Sequence, residues 1–207
     1  MAYSREPVNS LDSRTKRQQI LDAAYVVFSR KGYHRATVDE IIALADTGKG
    51  TVYNYFVNKE QLFYTLIKER SASFEVSLAD IVQSDKPSLV KVEAMIKVFL
   101  QFYVSNGDLW RVMMHEVRGL GTEGNSCFTQ EQRDKYRQWF TQTIGMLEKV
   151  LQAGIDQGVI RKCDANKVAH GLFSVVIITV FQKFVDDDID VTAHMITDIF
   201  LHGVARS

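Results

Sequence analysis

The chain has 207 residues, 46% of them hydrophobic, which fits one large domain or two small ones around a buried core. Its formal charge is zero, so bulk charge excludes a strongly basic nucleic-acid coat and an acidic tail protein. Two cysteines, Cys127 and Cys163, lie far apart; they exclude a disulfide framework or a cysteine metal motif and read as reduced thiols. No apolar run reaches transmembrane length, and the opening residues lack a signal-peptide core. The expectation is a soluble, cytoplasmic protein. Residues 1–60 hold nine Lys/Arg against seven Asp/Glu, an asymmetry too weak to argue DNA binding by itself.

In chain order, residues 1–11 are polar and read as a frayed arm; Arg5 within it could touch DNA. The first helix is expected over residues 13–31, with Ile20, Ala24, Val27 and Phe28 as its core stripe and Gly32 as its stop. Arg14, Lys16 and Arg17 lie on its opening turns, either near a DNA backbone or on a solvated face. Thr37 with Glu40 three residues on is a capping-box pattern that opens a second short helix. Val38, Ile41, Ile42 and Ala45 give that helix one apolar side, and Asp46, Thr47 and Gly48 end it. A third helix runs over residues 49–55. Val52 and Phe56 are apolar four apart, while Lys49, Thr51, Tyr53, Asn54 and Tyr55 form a polar surface able to donate to phosphates and base edges. Two short helices around a tight turn, the second polar outside, are a helix-turn-helix pattern.

A long fourth helix is expected over residues 59–83, spanning roughly 35–40 Å at 1.5 Å per residue and tying a head to the rest. Pro87 closes it off. One helix then carries Leu89, Val92, Ile96, Phe99, Phe102 and Tyr103; Asn106-Gly107-Asp108 is expected to separate it from a shorter one with Trp110, Met113 and Val117. Residues 119–126, with three glycines, read as a loop. A long helix follows over 129–157, then one over 164–185 that is apolar nearly all round, and a last one over 191–204. No strand pattern or repeat appears. The fold class is all-α, about nine helices in total: a three-helix head over 1–58 and a larger helical body over 59–207.

The stretch 20–63 resembles the DNA-binding domain of the TetR family of bacterial transcriptional repressors. The matching residues are Ile20-Leu21-Asp22-Ala23-Ala24, Phe28, Gly32-Tyr33, Ala36-Thr37-Val38, Ile41, Ala45, the run from Lys49 to Phe56, and Asn58-Lys59-Glu60-Gln61-Leu62-Phe63. The chain departs from the family at the turn, where Asp46-Thr47-Gly48 replaces the usual Gly-Val-Ser. Asp46 must then visit the left-handed region, which Asp tolerates at modest cost. Gly48 is a weaker N-cap than Ser, which makes Thr47 the alternative cap and would start the third helix one residue early. By matching position, the resemblance implies phosphate contacts from Thr37, Tyr53, Tyr55 and Lys59. Thr37 and Lys59 sit at helix N-termini, where the dipole also favours an anion. It implies a base-facing set of Lys49, Gly50, Thr51 and Asn54. Packing within the head is the alternative for the two tyrosines.

The resemblance also implies an effector pocket in the body. Phe99, Phe102, Tyr103, Trp110, Met113, Met114, His115, Tyr136, Trp139 and Phe140 are a dense aromatic and Met set, the kind of lining such pockets use. Ordinary core packing is the alternative for any one of them. The expected effector-binding set is Phe102, Tyr103, Trp110, Met113, His115, Tyr136 and Trp139, with Glu116 a further polar candidate. The expected ligand is a lipophilic or aromatic small molecule, including a cationic one, since Trp and Tyr faces bind cations.

The acidic run Asp186-Asp187-Asp188 with Asp190 could hold a divalent cation but more commonly forms a solvated loop. The resemblance supplies a partner for the last two helices, a second copy of the chain in a four-helix bundle, which suits a palindromic operator. The small residues Gly171, Ser174 and Ala169 would allow close approach of another helix. The expected function is a homodimeric repressor released by its effector; an architectural, nucleoid-associated DNA binder with no effector is the alternative. No catalytic triad order, carboxylate pair, phosphate-cradling loop, cofactor site or metal motif is legible, so an enzyme is not expected.

Overall fold

The computed structural model describes residues 15–118 and 129–203, with 114–118 described by their backbone only. Eight helices and no strand occur among them: α1 (Lys16–Arg35), α2 (Val38–Leu44), α3 (Lys49–Tyr55), α4 (Lys59–Gln83), α5 (Ser88–Arg118), α6 (Gln130–Asp156), α7 (Ala165–Phe181) and α8 (Ile189–His202). The chain packs as two compact units, the first running to Leu66 and the second beginning at Ile67.

Local signals in the sequence set the helix ends. Thr15 caps α1 by accepting from the Gln18 amide. Gly32 stands at φ +74 and breaks the helical run, a conformation glycine adopts without steric cost. One further turn then carries α1 to Arg35. Thr129 and Gln132 form a capping box on α6, and Asp164 and Asp188 cap α7 and α8. Asn58 caps α4, its Oδ1 accepting from the Gln61 amide at 2.8 Å.

In the first unit, α1 packs against α2 and α3. Ile20, Phe28, Ile41, Val52, Leu62 and Phe63 form its core. The rings of Phe28, Tyr33 and Phe63 meet at centroid distances of 4.9–5.8 Å. In the second unit, α5 is the central helix and packs against α6, α7 and α8. Gly154 lets α6 close on its neighbours: a Cβ there would lie 2.6 Å from Ile160 Cδ1 and 3.3 Å from Ser88 Cβ.

One expected break does not occur. Asn106-Gly107-Asp108 lies inside α5, which is continuous, so the count among the described residues is eight helices rather than about nine. The Asn106 side chain is buried and donates to the Phe102 carbonyl at 3.0 Å, so it adds a bond along the helix instead of diverting the chain. A Cβ at Gly107 would reach the Phe181 ring at 3.9 Å. Packing of Leu109 and Trp110, both fully buried, outweighs the roughly 1 kcal/mol helix cost of a glycine. The polar arm with its Arg5, together with Arg14 and Cys127, lies outside the described residues.

Candidate nucleic-acid interface

The turn between α2 and α3 is built by Asp46 at φ +44, the left-handed position that the residue substitution at this turn requires. Thr47 does not cap α3. Gly48 occupies the N-cap in extended conformation, without a side-chain bond, and its carbonyl accepts from the amides of Thr51 at 3.0 Å and Val52 at 3.3 Å. Those bonds fix the helix start at Lys49, the expected residue, and the alternative Thr47 cap with its early start does not occur.

On α3, Val52 is buried and Phe56 closes the helix from inside, while Lys49, Gly50, Tyr53, Asn54 and Tyr55 are exposed and Thr51 is half-buried. Tyr53 and Tyr55 are 43% and 45% exposed, so neither is consumed by packing. A Cβ on Gly50 would meet nothing within 4 Å. The backbone there is open to a close-approaching surface. Lys49 pairs loosely with Asp39 at 3.4 Å across solvent. The Arg17 guanidinium lies 5.8 Å from the Phe56 ring centre, which brings a cation of α1 to the end of α3.

Thr37 is exposed at the N-terminus of α2. Its Oγ1 accepts from the Glu40 amide at 3.3 Å, and its own amide donates to Glu40 Oε2 at 3.2 Å. Glu40 also pairs with Lys31. The Lys31 ammonium first, and the Thr37 amide second, hold the Glu40 carboxyl below the usual glutamate range. Lys59 is half-buried, and its ammonium donates to the carbonyls of Tyr33 and Ala36, each at 3.0 Å. Sequence spacing gave no sign of that contact, because it joins residues more than twenty positions apart.

In the second unit, the structure gathers four of the expected effector residues with Phe74. Phe102 meets Phe74 at 4.1 Å and Trp110 at 5.2 Å; Tyr103 meets Trp110 at 5.9 Å; Trp110 stacks on Trp139 at 4.8 Å. Met113 and Tyr136 are buried as well, and the His115 and Glu116 side chains lie outside the described residues. The Trp110 Nε1 is buried with no hydrogen-bond partner among the described residues. Trp139 Nε1 donates to Glu75 Oε1 at 2.6 Å, and the Ser71 hydroxyl donates to the same oxygen at 2.7 Å. Glu75 was not singled out from sequence, since it is one of many acidic residues on helix surfaces. Phe74, Phe102, Asn106 and Arg70 line an open groove of about 260 Å³.

The acidic run is structural. Asp186 accepts from the Thr192 hydroxyl, Asp188 caps α8, and Asp190 pairs with Lys97. No His/Cys/Asp/Glu cluster able to hold a metal occurs among the described residues, and none of their helices is long and apolar enough to cross a membrane. On α7 and α8, Val175, Ile178, Val191, Met195 and Ile199 are exposed apolar residues. Gly171 and Ser174 are exposed beside them, whereas Ala169 is buried within the protomer.

Residues 20–65 match the family described as bacterial regulatory proteins, tetR family. The chain is 25% identical over 195 residues to the fatty acid metabolism regulator protein of Bacillus subtilis, covering 92% of this chain and 96% of that one. Its fold matches the Bacillus subtilis transcriptional regulator FadR solved in complex with stearoyl-CoA, at TM-score 0.72 and 23% identity, over 91% of this chain and 99% of that one. It also matches the TetR-family regulator PfmR of Thermus thermophilus, at TM-score 0.79 and 19% identity, over 94% and 100% of the two chains.

Proposed function

We propose that this chain, a DNA-binding transcriptional regulator of the TetR family, acts in the cytoplasm as a homodimeric repressor. A lipophilic small molecule entering its second unit releases it from a palindromic operator. The observation that carries the DNA reading is α3: Val52 and Phe56 are buried while Lys49, Gly50, Tyr53 and Asn54 stand in solvent. Lys49, Gly50, Thr51 and Asn54 are the proposed base-facing set, with the glycine admitting close approach. Thr37, Tyr53, Tyr55 and Lys59 are the proposed phosphate contacts, which fix register without reading sequence.

The dimer reading rests on the exposed rows of α7 and α8. Val175 and Ile178 on one helix and Val191, Met195 and Ile199 on the other are spaced three or four residues apart, so each row forms one stripe. Exposed apolar stripes of this kind mark protein contact surfaces.

The effector reading is supported by the aromatic cluster and by the orphaned Trp110 Nε1. A buried donor without a partner costs about 1–3 kcal/mol, and a ligand carrying an acceptor oxygen would relieve that cost. A relative of this fold binds stearoyl-CoA, which makes a long-chain acyl thioester the first probe. An effector releases DNA only by its differential affinity for the DNA-bound and free states. The test is fluorescence anisotropy of a labelled operator with wild-type protein and added stearoyl-CoA. Release of the duplex supports the reading, and unchanged anisotropy at a concentration where the thioester binds the protein contradicts it.

A further inference from the structure

We infer that Glu75 selects the effector by charge: a neutral carbonyl compound such as an acyl thioester is accepted beside the two tryptophans, and the free carboxylate of the same chain is turned away. The inference rests on the reading of the second unit as an effector site and adds the residue that discriminates within it. One oxygen of Glu75 accepts from Trp139 Nε1 at 2.6 Å and from the hydroxyl of the buried Ser71 at 2.7 Å. No cation among the described residues pairs with this carboxylate; Arg70, the nearest in sequence, lines the groove along Phe74 and Phe102. Two neutral donors hold the carboxylate in place without cancelling its charge.

Beside it stands a donor in want of an acceptor. Trp110 Nε1 is buried without a partner, and its ring lies on that of Trp139 at 4.8 Å, 19° from parallel. The carbonyl oxygen of a thioester and the oxygen of a carboxylate both suit an indole N–H, so Trp110 by itself does not tell them apart. Glu75 does. Trp139 stacks on Trp110 and bonds to Glu75, so one ring connects the vacant donor to the charge. An oxygen on Trp110 then lies within roughly 10 Å of the Glu75 carboxylate, where a like charge loses about tenfold in affinity at an effective dielectric of about 20. A neutral carbonyl meets no such repulsion. Phe74 stacks on Phe102 at 4.1 Å, and Phe102 meets Trp110 at 5.2 Å; these rings suit the hydrocarbon part of either ligand equally. The discrimination comes from the group that rejects the wrong head.

Two measurements on the full-length protein test this. The first is a calorimetric titration with myristate and with its neutral N-acetylcysteamine thioester. Wild type should bind the thioester at least about tenfold more tightly. Glu75→Gln keeps an acceptor for Trp139 and Ser71 but no charge, so the ratio should narrow to within about threefold through tighter binding of myristate. A merely structural loss moves both ligands by the same factor. A ratio that stays at its wild-type value in Glu75→Gln therefore overturns the inference, as does a wild type that binds the two ligands alike. The second is a proton–nitrogen NMR spectrum. The chain has two tryptophans, hence two indole signals, which Trp139→Phe assigns. Saturating thioester should move the Trp110 signal downfield as its N–H gains an acceptor; an unmoved Trp110 signal overturns the inference. If Glu75→Gln does not fold, the wild-type ratio and spectrum decide. Wild-type protein that binds neither ligand overturns the effector reading itself, which is visible before any variant is made.

Discussion

Asn54 stands exposed on α3, one residue from Tyr53 and Tyr55 and two from the buried Val52. An asparagine so placed can pair with adenine through two hydrogen bonds. Asn54→Ala should relax preference at one base pair of each half-site by about 1–3 kcal/mol and leave the salt slope as it is; titration against single-base operator variants checks this. Glu40 yields a pH prediction. Its folded carboxyl is held below the ordinary range by Lys31 and the Thr37 amide. The stabilisation is therefore present above the unfolded glutamate value and is lost as pH falls through the lowered folded one. Glu40→Gln keeps a capping box but not the ion pair. The melting-temperature gap between wild type and Glu40→Gln should be open at pH 7 and close on acidification, and a gap that widens toward low pH contradicts the assignment. Caps of this kind are legible in sequence because donor and acceptor sit three residues apart. The carbonyl contacts of Lys59 and the bond from Trp139 to Glu75 are not, because each joins residues 23 or more positions apart.

At the scale of elements, α4, α6 and the helix-turn-helix were readable from periodicity and punctuation. The continuity of α5 was not. Asn-Gly-Asp is a turn signal by local chemistry, and only the burial of Asn106 and Trp110 against the rest of the unit overrides it. The all-round apolarity of α7 pointed to burial on several sides without saying which side faces what. Val176 is fully buried within the protomer, whereas Ile199 is 47% exposed. The two positions therefore predict different outcomes. Val176→Arg places an unpaired charge in the core and should unfold the second unit, at a cost above about 4 kcal/mol, the exceptional range for one change. Ile199→Arg should leave the protomer folded and separate the proposed dimer. Circular dichroism melts with sedimentation velocity distinguish them: a folded Val176→Arg protein, or a dimeric Ile199→Arg protein at micromolar concentration, contradicts this division.

In the whole molecule, the first unit carries the exposed helix α3 and the second an aromatic cluster and an apolar face. In the proposed regulation the two binding equilibria are linked, so an effector that weakens DNA binding must itself bind less tightly when DNA is present, by the same factor. Measuring stearoyl-CoA affinity with and without duplex checks that reciprocity. In the proposed function this chain reads a two-fold symmetric DNA sequence through α3. Selection of duplexes from a random pool by the wild-type protein tests it most directly, with Asn54→Ala run beside it. The account predicts enrichment of one palindromic sequence with half-sites centred about 10 base pairs or a multiple apart, and loss of preference at one position of each half-site in the variant. A pool that stays random, or an enriched sequence without symmetry that Asn54→Ala selects unchanged, would contradict it.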